Sequence, residues 1–144
     1  MAEYHTPFKL QILASDHMVY DGEASYVNVP TSEGNVAILA HHSNLIMAVN
    51  PGIVEFDPIS DKYKGRKSII VSFGILKVEN GEAMLLVGTA ERPEDIDEAR
   101  ALRAAEKARE DLKRANTNRD IALVNAELSK ALNRIKGSRS IHKF

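Results

Sequence analysis

The chain has 144 residues, of which 44% are apolar and 27% charged, so it holds enough apolar side chains for one packed domain. It has no cysteine, which excludes disulfides, thiol catalysis and cysteine-ligated zinc, and no apolar run reaches the roughly 18–20 residues that direct membrane insertion needs. Residues 1–90 carry 6 Lys/Arg against 10 Asp/Glu, and residues 91–144 carry 13 against 10. The acidic first part excludes a basic nucleic-acid face there, and the basic end of the second part indicates an acidic partner or a solvated helix face.

Residues 1–90 are predicted to form short β-strands. Apolar and polar residues alternate at 8–12 and 24–29, as in strands with one buried face. Similar runs predict further strands at residues 19–20, 36–39, 45–49, 53–56, 68–72, 75–78 and 83–87. Turns are expected at Asp21-Gly22, Pro51-Gly52 and Asn80-Gly81, the last with the residues of a type I′ hairpin, and a mobile polar loop at residues 57–67. Strands this short and closely spaced predict a sandwich or a flattened barrel.

This first part contains no pattern typical of a catalytic or metal site. His41 and His42 are adjacent, and adjacent residues on a strand point to opposite faces, so we expect them not to share a metal ion. The sequence has neither a glycine-rich phosphate loop nor a Gly-x-Ser-x-Gly elbow. We therefore predict no catalytic residues and no metal site.

Residues 91–144 change to a helical period. Pro93 followed by acidic residues predicts a helix start within residues 92–98. Apolar residues then recur every three or four positions, with a break at residues 116–118, where Thr117 and Asp120 resemble a capping box. The two stripes are Ala101, Ala105, Ala108, Leu112 and Ala115, then Ile121, Val124, Leu128, Ala131 and Ile135, with Gly137 predicted to cap the second helix. We predict an antiparallel helical hairpin, and divide the chain into a β domain at residues 1–90 and a helical arm at residues 91–144.

The first helical stripe is made mostly of alanine. Each buried alanine contributes on the order of 0.8 kcal/mol, against roughly 1.5–3 kcal/mol for leucine or isoleucine. Two hypotheses follow from this weak stripe. The arm is docked or extended at similar free energy, or it is a static hairpin whose stripe packs on the β domain.

No single one of five short stretches is specific to a protein family, but the five stretches in this order are. They are residues 8–12, residues 34–39 running into His42, Pro51-Gly52, residues 74–76 and residues 90–101. Together they resemble the epsilon subunit family of the F-type, proton-translocating ATP synthase, from about residue 8 to residue 136. The chain departs from that family at residues 40–44, where Pro-Gly-His-x-Pro is usual, and at Asn35, where an acid is frequent. The resemblance implies a flattened ten-stranded β-sandwich followed by an antiparallel two-helix hairpin.

The function that the resemblance implies is that of a non-catalytic rotor subunit, which couples proton-driven rotation to ATP synthesis. The sandwich would bind the gamma subunit and the c-ring, with Ser32, Glu33 and Gly34 at the c-ring and His42 at gamma. The hairpin would lie folded, or extend into the hexamer of alpha and beta subunits and block ATP hydrolysis. Its implied contacts with an acidic segment of the beta subunit are Lys130, Arg134, Lys136 and Arg139. The implied location is peripheral, on the cytoplasmic face of a bacterial inner membrane or, alternatively, on the stromal face of a thylakoid.

Some bacterial members of this family bind ATP in the folded hairpin, through a motif that residues 96–101 match. By resemblance, ATP with or without magnesium would contact Glu91, Ile96, Asp97, Arg100, Ala101, Lys107 and Arg134. Arg100 is suited to a charge-assisted bond to phosphate, whereas Lys107 stands where arginine is usual and lacks the bidentate fork. The alternative interpretation of residues 96–101 is structural: acidic residues are common at the start of a helix, and Asp97 forms a pair with Arg100.

Two other functions stay open. In the first hypothesis, the chain is a static adaptor of the rotor with no inhibitory or ATP-sensing role. In the second, it is a free-standing nucleotide-binding module built on residues 96–101. A small hydrolase is the weakest hypothesis, because the sequence offers no credible nucleophile and base.

Overall fold

The computed structural model describes residues 6–139, which form nine β-strands followed by two helices. The strands are β1 (Phe8–Ala14), β2 (Met18–Thr31), β3 (Gly34–Ile38), β4 (Leu45–Val49), β5 (Gly52–Ile59), β6 (Lys67–Val71), β7 (Gly74–Glu79), β8 (Glu82–Val87) and β9 (Ala90–Glu91). A 3₁₀ turn at Pro93–Asp95 leads to helices α1 (Glu98–Arg114) and α2 (Asn118–Ser138). The predicted β-sandwich followed by a helical hairpin is confirmed, with nine described strands where the resemblance implies ten.

The strands follow the order β1-β8-β7-β4-β2-β5-β6-β9, with β3 on β2. β2 also pairs with β1, so the path closes on itself. Closure of the sheet brings alternate side chains of opposite strands together, and these form the core. Its largest fully buried side chains include Leu10, Ile12, Val27, Phe56 and Leu85.

The predicted turn at Asp21-Gly22 is wrong, because β2 runs through both residues. Asp21 pairs with Gln11 and Gly22 with Leu10 in the antiparallel ladder with β1. The reason for the glycine is space: a Cβ on Gly22 would lie 3.0 Å from the hydroxyl of Tyr20. That hydroxyl donates to the carbonyl of Glu23 at 2.5 Å.

The predicted loop at residues 57–67 is shorter than expected, because β5 continues to Ile59 and β6 begins at Lys67. Residues 60–66 remain as the connection. Arg66 donates to both carboxylate oxygens of Asp57, at 2.8 and 3.0 Å, and its guanidinium lies 4.6 Å from the ring centre of Tyr26. The hydrogen bonds to Asp57 raise the pKa of Arg66. A bidentate pair therefore closes the base of this loop.

α1 begins at the last residue of the predicted range, and Pro93 does not lie in its first turn. Pro93 opens only a 3₁₀ turn, and Ile96 is extended, with φ −88° and ψ 127°, so the α-helix cannot continue through it. α1 begins at Glu98, and the side chain of Asp97 caps it by accepting from the amide of Arg100 at 3.1 Å. The predicted cap at the start of the second helix is confirmed, since the hydroxyl of Thr117 accepts a hydrogen bond from the amide of Asp120 at 3.1 Å.

The alanine stripe faces the other helix. Ala101 and Ala105 pack with Ala131 and Ile135 in a small cluster of their own. The expectation that this stripe packs on the β domain is therefore wrong. Across residues 6–139, neither helix has the length and apolar character needed to cross a bilayer.

Candidate functional site

α2 lies against the β5–β6 end of the sandwich and carries the hairpin. The side-chain amide of Asn133 donates to the carbonyls of Gly52 and Val71, each at 3.4 Å. Gly52 and Val71 are the partners at the last described pair of the β5–β6 ladder. A single helix side chain thus bonds one carbonyl of each strand at the end of this ladder.

Gly137 lies inside α2, so its predicted role as a helix cap is wrong. It is buried, and a Cβ at this position would overlap the side chain of Ile70. Glycine is required here because the helix backbone approaches a branched side chain of β6 with no room for a methyl group. This contact determines where α2 can lie on the sheet.

One ion pair joins α2 to the sandwich, and a second joins the two helices of the hairpin. Nε of Arg134 on α2 lies 2.9 Å from a carboxylate oxygen of Glu91 on β9, with 28% and 34% of the two side chains exposed. Nε of Arg139 donates to Glu98 at 2.6 Å, which joins the end of α2 to the start of α1. We use the name α2 docking contact for Asn133, Arg134 and Gly137 with Gly52, Ile70, Val71 and Glu91.

The residues that resemblance assigns to ATP are only partly brought together. Glu91 contacts Arg134, and the carboxylate of Asp97 is used as the cap of α1. Arg100 and Lys107 are exposed on α1, Ile96 is half-buried in the extended link, and Ala101 is buried between the helices. The described residues place no group of three or more His, Asp and Glu side chains where they would hold a metal ion.

A cleft of about 710 Å³ lies between residues 122–134 of α2 and the sheet. Glu91, Lys130 and Arg134 supply its charged groups, and Asn133 is part of its lining. The other walls include Asn50, Pro51, Ile70, Phe73 and Thr89 from the sandwich and Ala122, Asn125, Ala126 and Ser129 from α2.

Of the four basic residues assigned to the beta subunit, two are engaged within the chain. Arg134 pairs with Glu91 and Arg139 with Glu98. Lys130 and Lys136 are exposed. Docking of the hairpin on the sandwich therefore occupies one residue of this basic set, Arg134, while the Arg139–Glu98 pair lies within the hairpin itself.

The residues assigned to the c-ring form the tight turn between β2 and β3. The hydroxyl of Thr31 donates to the carbonyl of Gly34 at 2.5 Å and accepts from the amide of Glu33 at 3.2 Å. Gly34 has φ +98°, a conformation that favours glycine. Ser32 and Glu33 are exposed at the tip.

His41 and His42 lie in a turn after β3, rather than on the strand that the sequence suggested. His41 has φ +64°, and a ring nitrogen of His42 is 2.7 Å from the carbonyl of Ser43. This turn leads directly into β4.

Sequence reasoning missed an apolar surface on the sandwich. Ile46 on β4, Ile75 on β7 and Leu86 on β8 are 73%, 51% and 48% exposed, and Ile75 pairs directly with Leu86. We call Ile46, Ile75, Met84 and Leu86 the apolar sheet face. The sequence did indicate this surface, because residues 45–49 and 83–87 are apolar at every position, and strands that are apolar on both faces are typically covered on both faces.

The chain matches family models along most of its length. Residues 7–93 match the β-sandwich domain of the ATP synthase delta/epsilon chain, and residues 94–138 match the long α-helix domain of the same chain. The ATP synthase epsilon chain of Bordetella avium is 40% identical over 120 residues, which are 83% of each chain. That of Bordetella petrii is 39% identical over 121 residues, or 84% of each chain.

Solved structures give the same fold. A chain in the Euglena gracilis mitochondrial ATP synthase (OSCP/F1/c-ring) has a TM-score of 0.78 at 19% identity, covering 88% of this chain and 78% of that one. A chain in the central stalk/c-ring of the Tetrahymena thermophila mitochondrial ATP synthase has a TM-score of 0.63 at 13% identity, covering 90% and 95%. With both domains matched in order and close relatives over most of the length, the chain belongs to the ATP synthase delta/epsilon chain family.

Proposed function

We propose that this chain is the epsilon subunit of a proton-translocating ATP synthase, a non-catalytic part of the central stalk that turns with the rotor. The observation that carries the proposal is the apolar sheet face, where Ile75 and Leu86 lie exposed as direct cross-strand neighbours and Ile46 is exposed on the adjacent strand β4. An exposed apolar patch on a water-soluble domain is typical of a protein–protein interface. Membership of the family supports the choice of partner.

The gamma subunit is assigned to the apolar sheet face. His42 lies four residues before Ile46 on the same segment of the chain, so a single partner surface contacts both residues. The exposed tip at Ser32 and Glu33 is assigned to the c-ring. The proposed location is peripheral, on the cytoplasmic face of a bacterial inner membrane, and the bacterial relatives favour it over the thylakoid alternative.

The hairpin is assigned an inhibitory role in which it leaves the sandwich and enters the hexamer of alpha and beta subunits. The support is that the α2 docking contact combines the packing of Gly137 on Ile70 with two hydrogen bonds of 3.4 Å and one half-exposed ion pair, polar contacts that water can replace on undocking. Undocking also frees Arg134, which joins Lys130, Lys136 and Arg139 as a basic surface for an acidic segment of beta. A static adaptor would keep Arg134 on Glu91 throughout.

One titration tests both proposals. The hexamer with gamma, prepared without this chain, is titrated with the full chain while binding and ATP hydrolysis are recorded. We expect a dissociation constant of about 1 µM or tighter and a fall in hydrolysis. A matched chain lacking residues 98–144 should bind without inhibiting. Failure of the full chain to bind would contradict the rotor assignment, and binding with no change in hydrolysis would favour the static adaptor.

We also propose that ATP binds the folded arm through Glu91, Ile96, Asp97, Arg100, Ala101, Lys107 and Arg134. The support is that Arg100 is exposed at the start of α1, while Glu91 and Arg134 lie beside a cleft of about 710 Å³. Calorimetric titration of the full chain with ATP, with and without magnesium, should give micromolar to millimolar binding that Arg100→Ala abolishes. Arg103→Ala, an exposed arginine on the same helix outside the motif, should leave it unchanged. If no heat of binding is measured at millimolar ATP, the motif is only the start of a helix and the ATP proposal is wrong.

A further inference from the structure

We propose that the cleft between residues 122–134 of α2 and the sheet binds an amphipathic monocarboxylate, a small molecule with an apolar body and one carboxylate group, as in a fatty acid. This site goes beyond the proposed function, because it depends neither on the gamma subunit nor on ATP. Of the seven residues assigned to ATP, Glu91 and Arg134 line the cleft, and the other five are not part of its lining. The cleft is therefore a separate site from the motif at the start of α1.

The size and the walls of the cleft suit an apolar ligand body. Its volume of about 710 Å³ falls within the roughly 300–1,000 Å³ typical of small-molecule sites, and most of its surface is apolar. Pro51, Ile70 and Phe73 contribute to the sandwich wall, and Phe73 is 68% exposed to water. Ala122 and Ala126 belong to the facing wall on α2, where their small side chains give the cleft its width. An alkyl chain or ring bound here removes this apolar surface from water, which favours binding.

The charges in the cleft leave one cation for the ligand. Nε of Arg134 and a carboxylate oxygen of Glu91 lie 2.9 Å apart, so these two groups neutralise each other. Lys130 is exposed and has no ion-pair partner within residues 6–139. Two cations and one anion give the lining a net charge of +1, which matches a single carboxylate. A nucleoside triphosphate carries several negative charges, and this lining leaves most of them without a counter-charge.

The apolar and polar parts of the α2 wall follow one another along the helix. Ala122 and Ala126 come first, and Ser129 and Lys130 follow about one turn later. The hydroxyl of Ser129 and the ammonium of Lys130 can both donate to one carboxylate, and the bond from Lys130 is charge-assisted. The carboxylate is therefore assigned to residues 129–130, and the apolar body of the ligand extends toward Ala122.

The experiment is calorimetric titration of the full chain, without nucleotide, with decanoate as a probe monocarboxylate. We expect one site per chain with a dissociation constant below about 1 mM. Decyltrimethylammonium has the same alkyl chain with a cationic head and is the matched probe. It should bind at least about tenfold more weakly, because Lys130 repels its head group.

Two variants locate the site. Lys130→Met keeps the length and the apolar stem of the side chain, and it should weaken decanoate binding about fivefold and remove the preference for the acid. Ala126→Phe should abolish decanoate binding, because the ring occupies the cleft. The controls are Lys136→Met and Ala104→Phe, which make the same changes outside the cleft lining and should bind decanoate as the wild type does. All four positions are exposed, so circular dichroism should show the wild-type fold in every variant.

The outcomes separate this site from the other proposals. Decanoate binding that survives in Ala126→Phe would lie elsewhere on the chain and would overturn the proposal. Equal affinity of the wild type for the two probes would overturn it as well, and so would no heat of binding at millimolar decanoate. Arg100→Ala, the variant expected to lose ATP, should bind decanoate as the wild type does. None of these results depends on gamma, so failure here is distinct from failure of the rotor assignment.

Discussion

Ile75→Glu is expected to weaken binding to the gamma subunit at least about a hundredfold. Ile75 is 51% exposed on β7, between Ala48 of β4 and Leu86 of β8, so it lies within the apolar sheet face. A partner that covers this face would bury the new carboxylate without a counter-charge, and an unpaired buried charge is costly. The measurement is titration of the hexamer–gamma complex with each variant.

A matched substitution on the arm provides the control. Leu102 is 43% exposed on α1, so Leu102→Glu introduces the same charge at a similarly exposed apolar residue away from the sheet face. It should leave gamma affinity within about twofold. Both variants should retain the thermal unfolding midpoint of the wild type, since neither side chain is buried. Equal loss of binding in the two variants would remove the apolar sheet face as the gamma site.

Phe56→Ala is expected to lower the free energy of unfolding by about 3–5 kcal/mol. Phe56 is fully buried in the sandwich, and its ring centre lies 5.0 Å from that of Tyr20. Truncation removes the transfer free energy of the ring and leaves a cavity between two layers that strand pairing prevents from collapsing. Chemical denaturation of the full chain, followed by circular dichroism in the β region, measures this change.

The same substitution at Phe73 separates burial from residue type. Phe73 is 68% exposed, so Phe73→Ala should change the free energy of unfolding by no more than about 0.5 kcal/mol. If the two variants unfolded at the same denaturant concentration, the assignment of Phe56 to the core would be wrong.

Local chemistry was sufficient for much of the architecture. The change from period two to period 3.6 near Glu91 separates sandwich from hairpin, because side-chain direction repeats differently in strands and helices. Asn80-Gly81 forms its predicted hairpin, with φ of 52° and 75°, since these two residues tolerate positive φ. Thr117 caps α2 for the same local reason: its hydroxyl reaches an amide three residues on.

What the sequence left open depends on neighbours distant along the chain. The sequence pattern predicts Gly22 in a turn and Gly137 as a cap, yet a Cβ at Gly22 would lie close to the Tyr20 hydroxyl, and a Cβ at Gly137 would overlap the side chain of Ile70. The ion pair of Glu91 with Arg134 spans 43 positions, and no spacing rule relates them. Periodicity and caps are properties of a few adjacent residues, so the sequence by itself determined the elements and their order. Close approach and ion pairing between distant segments exist only after packing, so the tertiary structure decided where the arm lies and what holds it there.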